Sequence, residues 1–128
     1  MQKIATLSIL ALFLVLGAFR PANGLEDVIQ ALRTGNATEL SKYVDDNIEI
    51  SLPDRSDTYS RAQANVILRD FFSNSGVRGF EVMHKGDNGG SKFCIGTLQT
   101  RGGNYRTTVL MKTKSGRQLV REIRFQPV

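Results

Sequence analysis

The chain contains 128 residues, of which 41% are hydrophobic and 23% are charged. This length fits one globular domain and excludes two, and the composition excludes wholesale disorder. The formal net charge is +5, yet residues 25–75 hold nine acidic and five basic residues, whereas residues 76–128 hold three acidic and ten basic. The basic half is either an ordinary solvated face or a surface for an anionic partner.

Residues 1–24 have the layout of a secretory signal. Lys3 gives a positive start, residues 4–19 are almost wholly apolar, and Ala22-Asn23-Gly24 places small residues where a signal peptidase reads. We predict cleavage after Gly24, which leaves a single domain over residues 25–128. An uncleaved N-terminal anchor is the alternative, although a run of about sixteen apolar residues is short for a membrane span.

The export signal sets the expected surroundings of the domain. We expect it in the periplasm or outside the cell, with no membrane span after cleavage and no nucleic-acid partner. No cysteine lies near the cleavage point, so we expect no lipoprotein anchor. Cys94 is the only cysteine, which rules out an intramolecular disulfide, and its apolar strand pattern is typical of a buried small hydrophobe.

Apolar spacing and capping residues predict three helices. The first is stopped by Gly35, the second is short and capped by Asn36, and the third begins at a Ser60–Gln63 capping box and ends before Gly76. Their apolar faces carry Leu25, Val28, Ile29 and Leu32, then Leu40, Tyr43 and Val44, then Val66, Ile67, Phe71 and Phe72.

Strand signals follow the second helix and fill the chain after the third. A turn at Asp45-Asp46-Asn47 leads into an alternating strand over residues 48–52, with a return strand at Thr58-Tyr59. Four further strands are predicted over residues 80–85, 92–100, 104–114 and 117–126. Because short loops join them, they form an antiparallel meander. The sequence therefore predicts an α+β domain with three N-terminal helices and a small hairpin packed on a four-strand antiparallel sheet.

Several short motifs occur in a fixed order along the chain. They are Arg69-Asp70-Phe71-Phe72, His84-Lys85-Gly86, Ile95-Gly96-Thr97-Leu98 with Thr100, Tyr105-Arg106, and Leu119 to Phe125. The predicted element order, α-α-β-β-α-β-β-β-β, resembles the nuclear-transport-factor-2-like fold. The order and spacing of the motifs resemble more closely the domain of unknown function 4783, a bacterial family of exported proteins assigned to this fold. The resemblance implies a strongly curved sheet wrapped around the third helix as a cone, and it implies no particular function.

Strand alternation sorts the sheet into two faces. We assign the larger and more aromatic set to the concave face, where the polar exceptions are candidate pocket residues. That set is Phe80, Val82, His84, Phe93, Ile95, Thr97, Tyr105, Thr107, Val109, Met111, Leu119, Arg121, Ile123 and Phe125. The pocket candidates are Asp70, His84, Thr97, Tyr105, Thr107 and Arg121.

Arg121 and His84 are the candidates whose side chains could bind an anion or act in catalysis. A guanidinium on a concave face needs an anionic partner, so Arg121 either forms a salt bridge with Asp70, or grips a ligand carboxylate, or faces water in a different register. His84, the only histidine, is either a surface or hydrogen-bonded structural residue or a general base. We expect no metal site and no cofactor, because one histidine and one cysteine on different strands do not make a ligand set.

The opposite face carries more apolar residues than solvent exposure requires, which is typical of an interface. The interface candidates are Met83, Leu98, Arg106, Leu110 and Val120. We predict a homodimer through this face. Our leading hypothesis for function is a non-enzymatic module of the cell envelope that binds a small hydrophobic or anionic ligand or another protein. The alternatives are an isomerase- or dehydratase-type enzyme that uses His84 or Asp70 on a small hydrophobic substrate, and a structural docking subunit that uses the basic sheet.

Overall fold

The computed structural model describes residues 24–128, so the predicted signal segment lies outside the described residues except for Gly24. Within this range the chain forms an α+β domain, as predicted. In chain order the elements are α1 Gly24–Thr34, α2 Ala37–Ser41, β1 Val44–Leu52, β2 Arg55–Ser60, α3 Arg61–Ser75, β3 Val77–Asn88, β4 Ser91–Thr100, β5 Gly103–Lys114 and β6 Arg117–Pro127. None of the described helices is both long and apolar enough to cross a membrane.

The predicted caps define the helix ends. The Asn36 side chain accepts a hydrogen bond from the Glu39 amide at 3.0 Å, which fixes the start of α2. Ser60 and Gln63 form both halves of the capping box at the start of α3. Gly76 ends α3 with a φ of 71°, a left-handed conformation that suits a residue without a Cβ.

All six strands belong to one curved sheet, with the order β2-β1-β6-β5-β4-β3. The pair β1–β6 is parallel and every other neighbouring pair is antiparallel. The small β1–β2 hairpin is therefore part of the main sheet, because β1 pairs with the edge of β6 that faces away from β5. The predicted turn at Asp45-Asp46-Asn47 is wrong, since these residues lie within β1, where its register with β6 shifts between Val44 and Glu49.

The core lies between the helices and the concave face of the sheet. From α1, the predicted residues Leu25, Val28, Ile29 and Leu32 are all buried. Helix α3 buries Ala64, Leu68 and Phe72, whereas Val66, which we expected on the apolar face, is 50% exposed. The helix is therefore rotated relative to the predicted stripe, so that Ala64 and Leu68 are fully buried.

The face assignment is wrong for β4. Residues Cys94, Gly96 and Leu98 face the helices, while Phe93, Ile95 and Thr97 lie on the convex face, half-buried. The reason is steric. A Cβ on Gly96 would lie 2.5 Å from both the Phe80 ring and the Glu81 carbonyl oxygen, so the Phe80 ring occupies the space that a larger residue of β4 would need.

Candidate functional site

The interior of the cone is filled by an aromatic cluster, formed by Phe71, Phe72, Tyr105 and Phe125. The Phe71 ring lies 4.6 Å from the Phe125 ring and 5.3 Å from the Tyr105 ring, measured between centroids. Phe72 meets Phe125 edge-on at 6.0 Å. These separations are those of packed aromatic pairs, so the rings occupy the space that an open cone would offer to a ligand.

Two pocket candidates, Tyr105 and Thr107, lie on the concave face as predicted, but within this packing. Thr107 is fully buried, and its hydroxyl donates a hydrogen bond to the Tyr105 carbonyl at 3.3 Å. Tyr105 is half-buried and packs its ring against Phe71. The Thr107 hydroxyl is thus engaged by its own strand, because an unpaired buried hydroxyl would be costly.

His84 and Thr97, in contrast, lie on the convex face. The register of β3 with β4 shifts between Val82 and His84, so Met83 is an extra residue at a β-bulge. The bulge reverses the alternation, and the His84 ring lies 5.5 Å from the Phe93 ring on the convex side. Thr97 donates a hydrogen bond to the Met83 sulfur at 3.3 Å. A concave position for His84 is therefore wrong.

Arg121 also lies at a register shift, between Leu110 and Met111 of the facing strand. Its Nε lies 3.5 Å from Asp45 Oδ2, and its side chain is 50% exposed. Asp70 is exposed on α3, and among residues 24–128 it forms no ion pair. The predicted Asp70–Arg121 salt bridge is wrong because the bulge carries Arg121 away from α3, toward β1.

Asp45 is the centre of a charge cluster that sequence analysis missed. Its carboxylate, only 8% exposed, accepts a hydrogen bond from the Asp46 amide at 2.7 Å and from Lys114 Nζ at 3.1 Å. Arg61 extends the cluster, because its guanidinium donates a hydrogen bond to the Asp46 carboxylate at 3.1 Å. The only sequence signal was the Asp45-Asp46 pair, which is equally typical of a turn.

These contacts shift the ionisation of both partners. The Asp46 backbone amide, together with the positive charges of Lys114 and Arg121, lowers the pKa of Asp45 below its ordinary value. The Asp45 carboxylate raises the pKa of Lys114. Both groups are therefore held in their charged forms, which is the behaviour of a structural ion-pair cluster that fixes the ends of β1, β5 and β6.

The convex face carries an apolar group that we call the convex patch: Met83, Phe93, Ile95 and Leu110. Met83 is 59% exposed, and the other three are half-buried. Phe93 stands opposite both Gly86 and Leu110, and Ile95 stands opposite His84. The convex patch therefore spans three neighbouring strands, β3 to β5.

Charged residues surround the convex patch. Arg106 and Lys112 are exposed on β5, Glu81 is exposed on β3, and Arg124 on β6 pairs with Glu122 at 2.9 Å. Of the interface candidates, Met83, Arg106 and Leu110 lie on this face. Leu98 and Val120 do not, since both are fully buried in the core. Their assignment to the outer face was wrong because bulges and the reversed face of β4 changed their side of the sheet.

The candidate residues do not converge on one reactive centre. Tyr105 and Thr107 are inside the cone, His84 and Thr97 are on the convex face, and Arg121 is in the charge cluster. Between residues 24 and 128, no group of three or more histidine, cysteine, aspartate or glutamate side chains is arranged to hold a metal ion. Clefts lie instead at the periphery, and one of them is an open groove of about 520 Å³ between β1, β2 and β6.

The sequence and the fold both have close counterparts. The profile of the domain of unknown function DUF4783 matches residues 25–126. The crystal structure of a DUF4783 family protein from Bacteroides ovatus is 34% identical, covers 85% of this chain and 96% of that chain, and gives a TM-score of 0.78. A DUF4783 family protein from Bacteroides fragilis is 32% identical over 86% of this chain and 100% of that chain, with a TM-score of 0.76.

More distant structures share the fold alone. An NTF2-like protein of unknown function from Cytophaga hutchinsonii is 12% identical, covers 87% of this chain and 94% of that chain, and gives a TM-score of 0.62. No curated protein is significantly similar in sequence. The domain thus has the nuclear-transport-factor-2-like fold that the motifs implied, and the chain belongs to the DUF4783 family.

Proposed function

We propose that this chain is an exported, non-catalytic interaction module that binds a protein partner through the convex patch, and that its first partner is a second copy of itself. The observation that carries the proposal is the contrast between the two faces of the sheet. The concave face is packed with aromatic rings around the buried Phe125, whereas the convex face carries four adjoining apolar side chains that stay partly exposed, with Met83 at 59%.

The charges beside the convex patch favour a second copy. Glu81 on β3 and Arg106 on β5 stand on opposite sides of Thr97, in one row across the sheet. A two-fold axis along β4 would place Glu81 of one copy opposite Arg106 of the other, twice per dimer. The apolar centre would be buried between the two sheets, with the opposite charges at its rim.

The export component rests on residues 1–24, with their positive start, apolar run and small residues. N-terminal sequencing of the protein recovered from the cell envelope tests it. A start at or within a few residues of Leu25 supports export with cleavage. Recovery of a chain that begins at Met1 in the cytoplasm contradicts it.

Sedimentation velocity over a concentration series tests whether the convex patch forms a dimer. The purified protein should sediment as a dimer, and Ile95→Arg should make it a monomer because a guanidinium would be buried at the centre of the interface. Val66→Arg is the matched control, since it places the same side chain on exposed α3 and should leave the dimer intact. A wild-type monomer at every concentration, or equal behaviour of both variants, would contradict the proposal.

A further inference from the structure

The open groove between β1, β2 and β6, which we call the rim groove, lies on the half of the sheet away from the convex patch. It measures about 520 Å³, within the usual range of ligand sites of roughly 300–1,000 Å³. Its walls are the tip of the β1–β2 hairpin and the last residues of β6. Of the residues that line it, only Phe125 belongs to the aromatic cluster, and none belongs to the convex patch.

The floor of the rim groove is an unpaired strand edge. Strands β1 and β6 pair in parallel up to Ser51 and Arg124. Strand β1 then ends at Leu52 and turns into β2, while β6 continues to Pro127 paired with β5 alone. The last stretch of β6, residues 125–127, therefore has one edge in the sheet and the other edge in the groove.

The hydrogen-bond register shows which groups this edge presents. The Val128 amide donates to the Asn104 carbonyl at 3.1 Å, so the pair formed by these residues is a hydrogen-bonded one. Pairs alternate along an antiparallel ladder, so Phe125 and Pro127 stand in non-hydrogen-bonded pairs with β5. The carbonyl groups of both residues therefore point away from β5, toward the groove, whereas the parallel register directs the Phe125 N–H to the Ser51 carbonyl of β1.

Pro53 prevents β1 from completing the ladder. Continuing the parallel register beyond Ser51 would bring the nitrogen of Pro53 toward the Phe125 carbonyl, but proline carries no N–H. Pro127 likewise contributes a carbonyl and no donor. The groove edge therefore presents two carbonyl acceptors, spaced as every second residue of a strand.

The side chains of the rim groove add further polar groups, of which the Glu49 carboxylate only accepts and the serine hydroxyls both donate and accept. Ser51 and Ser56 provide hydroxyls, and Glu49 provides a carboxylate that forms no ion pair with any other residue in the range 24–128. The guanidinium of Arg124 is already paired with Glu122 at 2.9 Å. The two free carbonyls and the Glu49 carboxylate therefore favour a ligand that brings N–H donors and positive charge.

We propose that the rim groove binds an extended peptide that carries basic side chains and adds a short strand beside residues 125–127 of β6. Alternate N–H groups of an extended peptide have the spacing of the Phe125 and Pro127 carbonyls, and a lysine or arginine beside them reaches Glu49. A saccharide is the less suited ligand, because the aromatic side chain of the groove, Phe125, is 1% exposed and offers no stacking surface.

Titration of the isotope-labelled protein, followed by NMR, tests this binding. The probe is an N-acetylated, C-amidated hexapeptide in which valine alternates with lysine. It should shift the amide signals of Ser51, Ser56 and Gln126. Two matched peptides should bind at least about tenfold more weakly: one with glutamate in place of lysine, and one with N-methylated valines, which cannot donate backbone hydrogen bonds.

Two charge-reversal variants distinguish binding in the rim groove from nonspecific electrostatic attraction of the peptide to the protein. Glu49→Lys should weaken the lysine peptide about tenfold and favour the glutamate peptide. Asp70→Lys makes the same charge reversal on exposed α3, outside both the rim groove and the convex patch, and should leave both affinities unchanged. The proposal fails if the lysine peptide shifts no signals around the groove, if N-methylation has no effect, or if a linear oligosaccharide binds there and the peptide does not.

Discussion

Removing the Phe125 ring tests the claim that the cone is filled. Phe125 is 1% exposed, and its ring lies 4.6 Å from Phe71 and 6.0 Å from Phe72. Phe125→Ala should therefore lower the free energy of unfolding by about 3–5 kcal/mol, the usual cost of a buried phenylalanine. In urea this is a fall of the midpoint by roughly 2 M, with an unchanged slope.

Phe93→Ala is the control, with both variants made in the Ile95→Arg background so that the proposed dimer contributes nothing. It removes the same ring from the half-buried convex face and should cost only about 1 kcal/mol. The Phe125→Ala cavity is apolar, so benzene should raise the melting temperature of that variant and not that of the wild type. A loss below about 1 kcal/mol for Phe125→Ala, or equal stabilisation of the wild type by benzene, would refute a filled interior.

Three further predictions concern single side chains. Gly96→Ala should cost about 1–3 kcal/mol, because its Cβ would lie 2.5 Å from Phe80 and the Glu81 carbonyl oxygen. In the same thermal melts Gly102→Ala, whose nearest contact would be 3.8 Å away, should be neutral; equal losses would contradict the packing of β4. Burial raises the pKa of Cys94 to about 11, so iodoacetamide at pH 8 should label it only in urea, and rapid labelling of the folded protein would contradict its position. The pKa of Asp45 is below its ordinary 3.8, so its ion pairs stabilise the fold above that pH and lose their effect as the pH falls through the folded-state pKa. The free energies of unfolding of wild type and Asp45→Asn, measured in urea, should therefore differ by about 1 kcal/mol near neutral pH and converge in acid; a constant difference would contradict the charge cluster.

Local signals predicted most of the elements. The capping residues at Asn36 and Ser60 mark the starts of α2 and α3, because a cap depends on residues within one turn of the chain. Strand positions after Gly76 follow from alternation and from glycine-rich turns. The parallel pairing of β1 with β6 was not predictable in this way, because it joins segments that are distant in sequence.

The site residues were harder to predict, because each β-bulge reverses the alternation that follows it. The extra residues at Met83 and Arg121 arise from pairing with a neighbouring strand, so no local pattern marks them. Because of these two extra residues, neither His84 nor Arg121 lies on the concave face, where alternation alone would place them. For β4, size was a misleading guide, because Gly96 faces the core where Phe80 fills the space.

Isotope-filtered NOE spectroscopy on a mixture of labelled and unlabelled protein tests most directly whether two copies bind through the convex patch. We predict intermolecular NOEs from the methyl groups of Met83, Ile95 and Leu110, since these residues form the convex patch. We also predict that Ile95→Arg abolishes these NOEs. Intermolecular NOEs confined to residues outside the convex patch, or none at concentrations at which the protein sediments as a dimer, would contradict docking through this face.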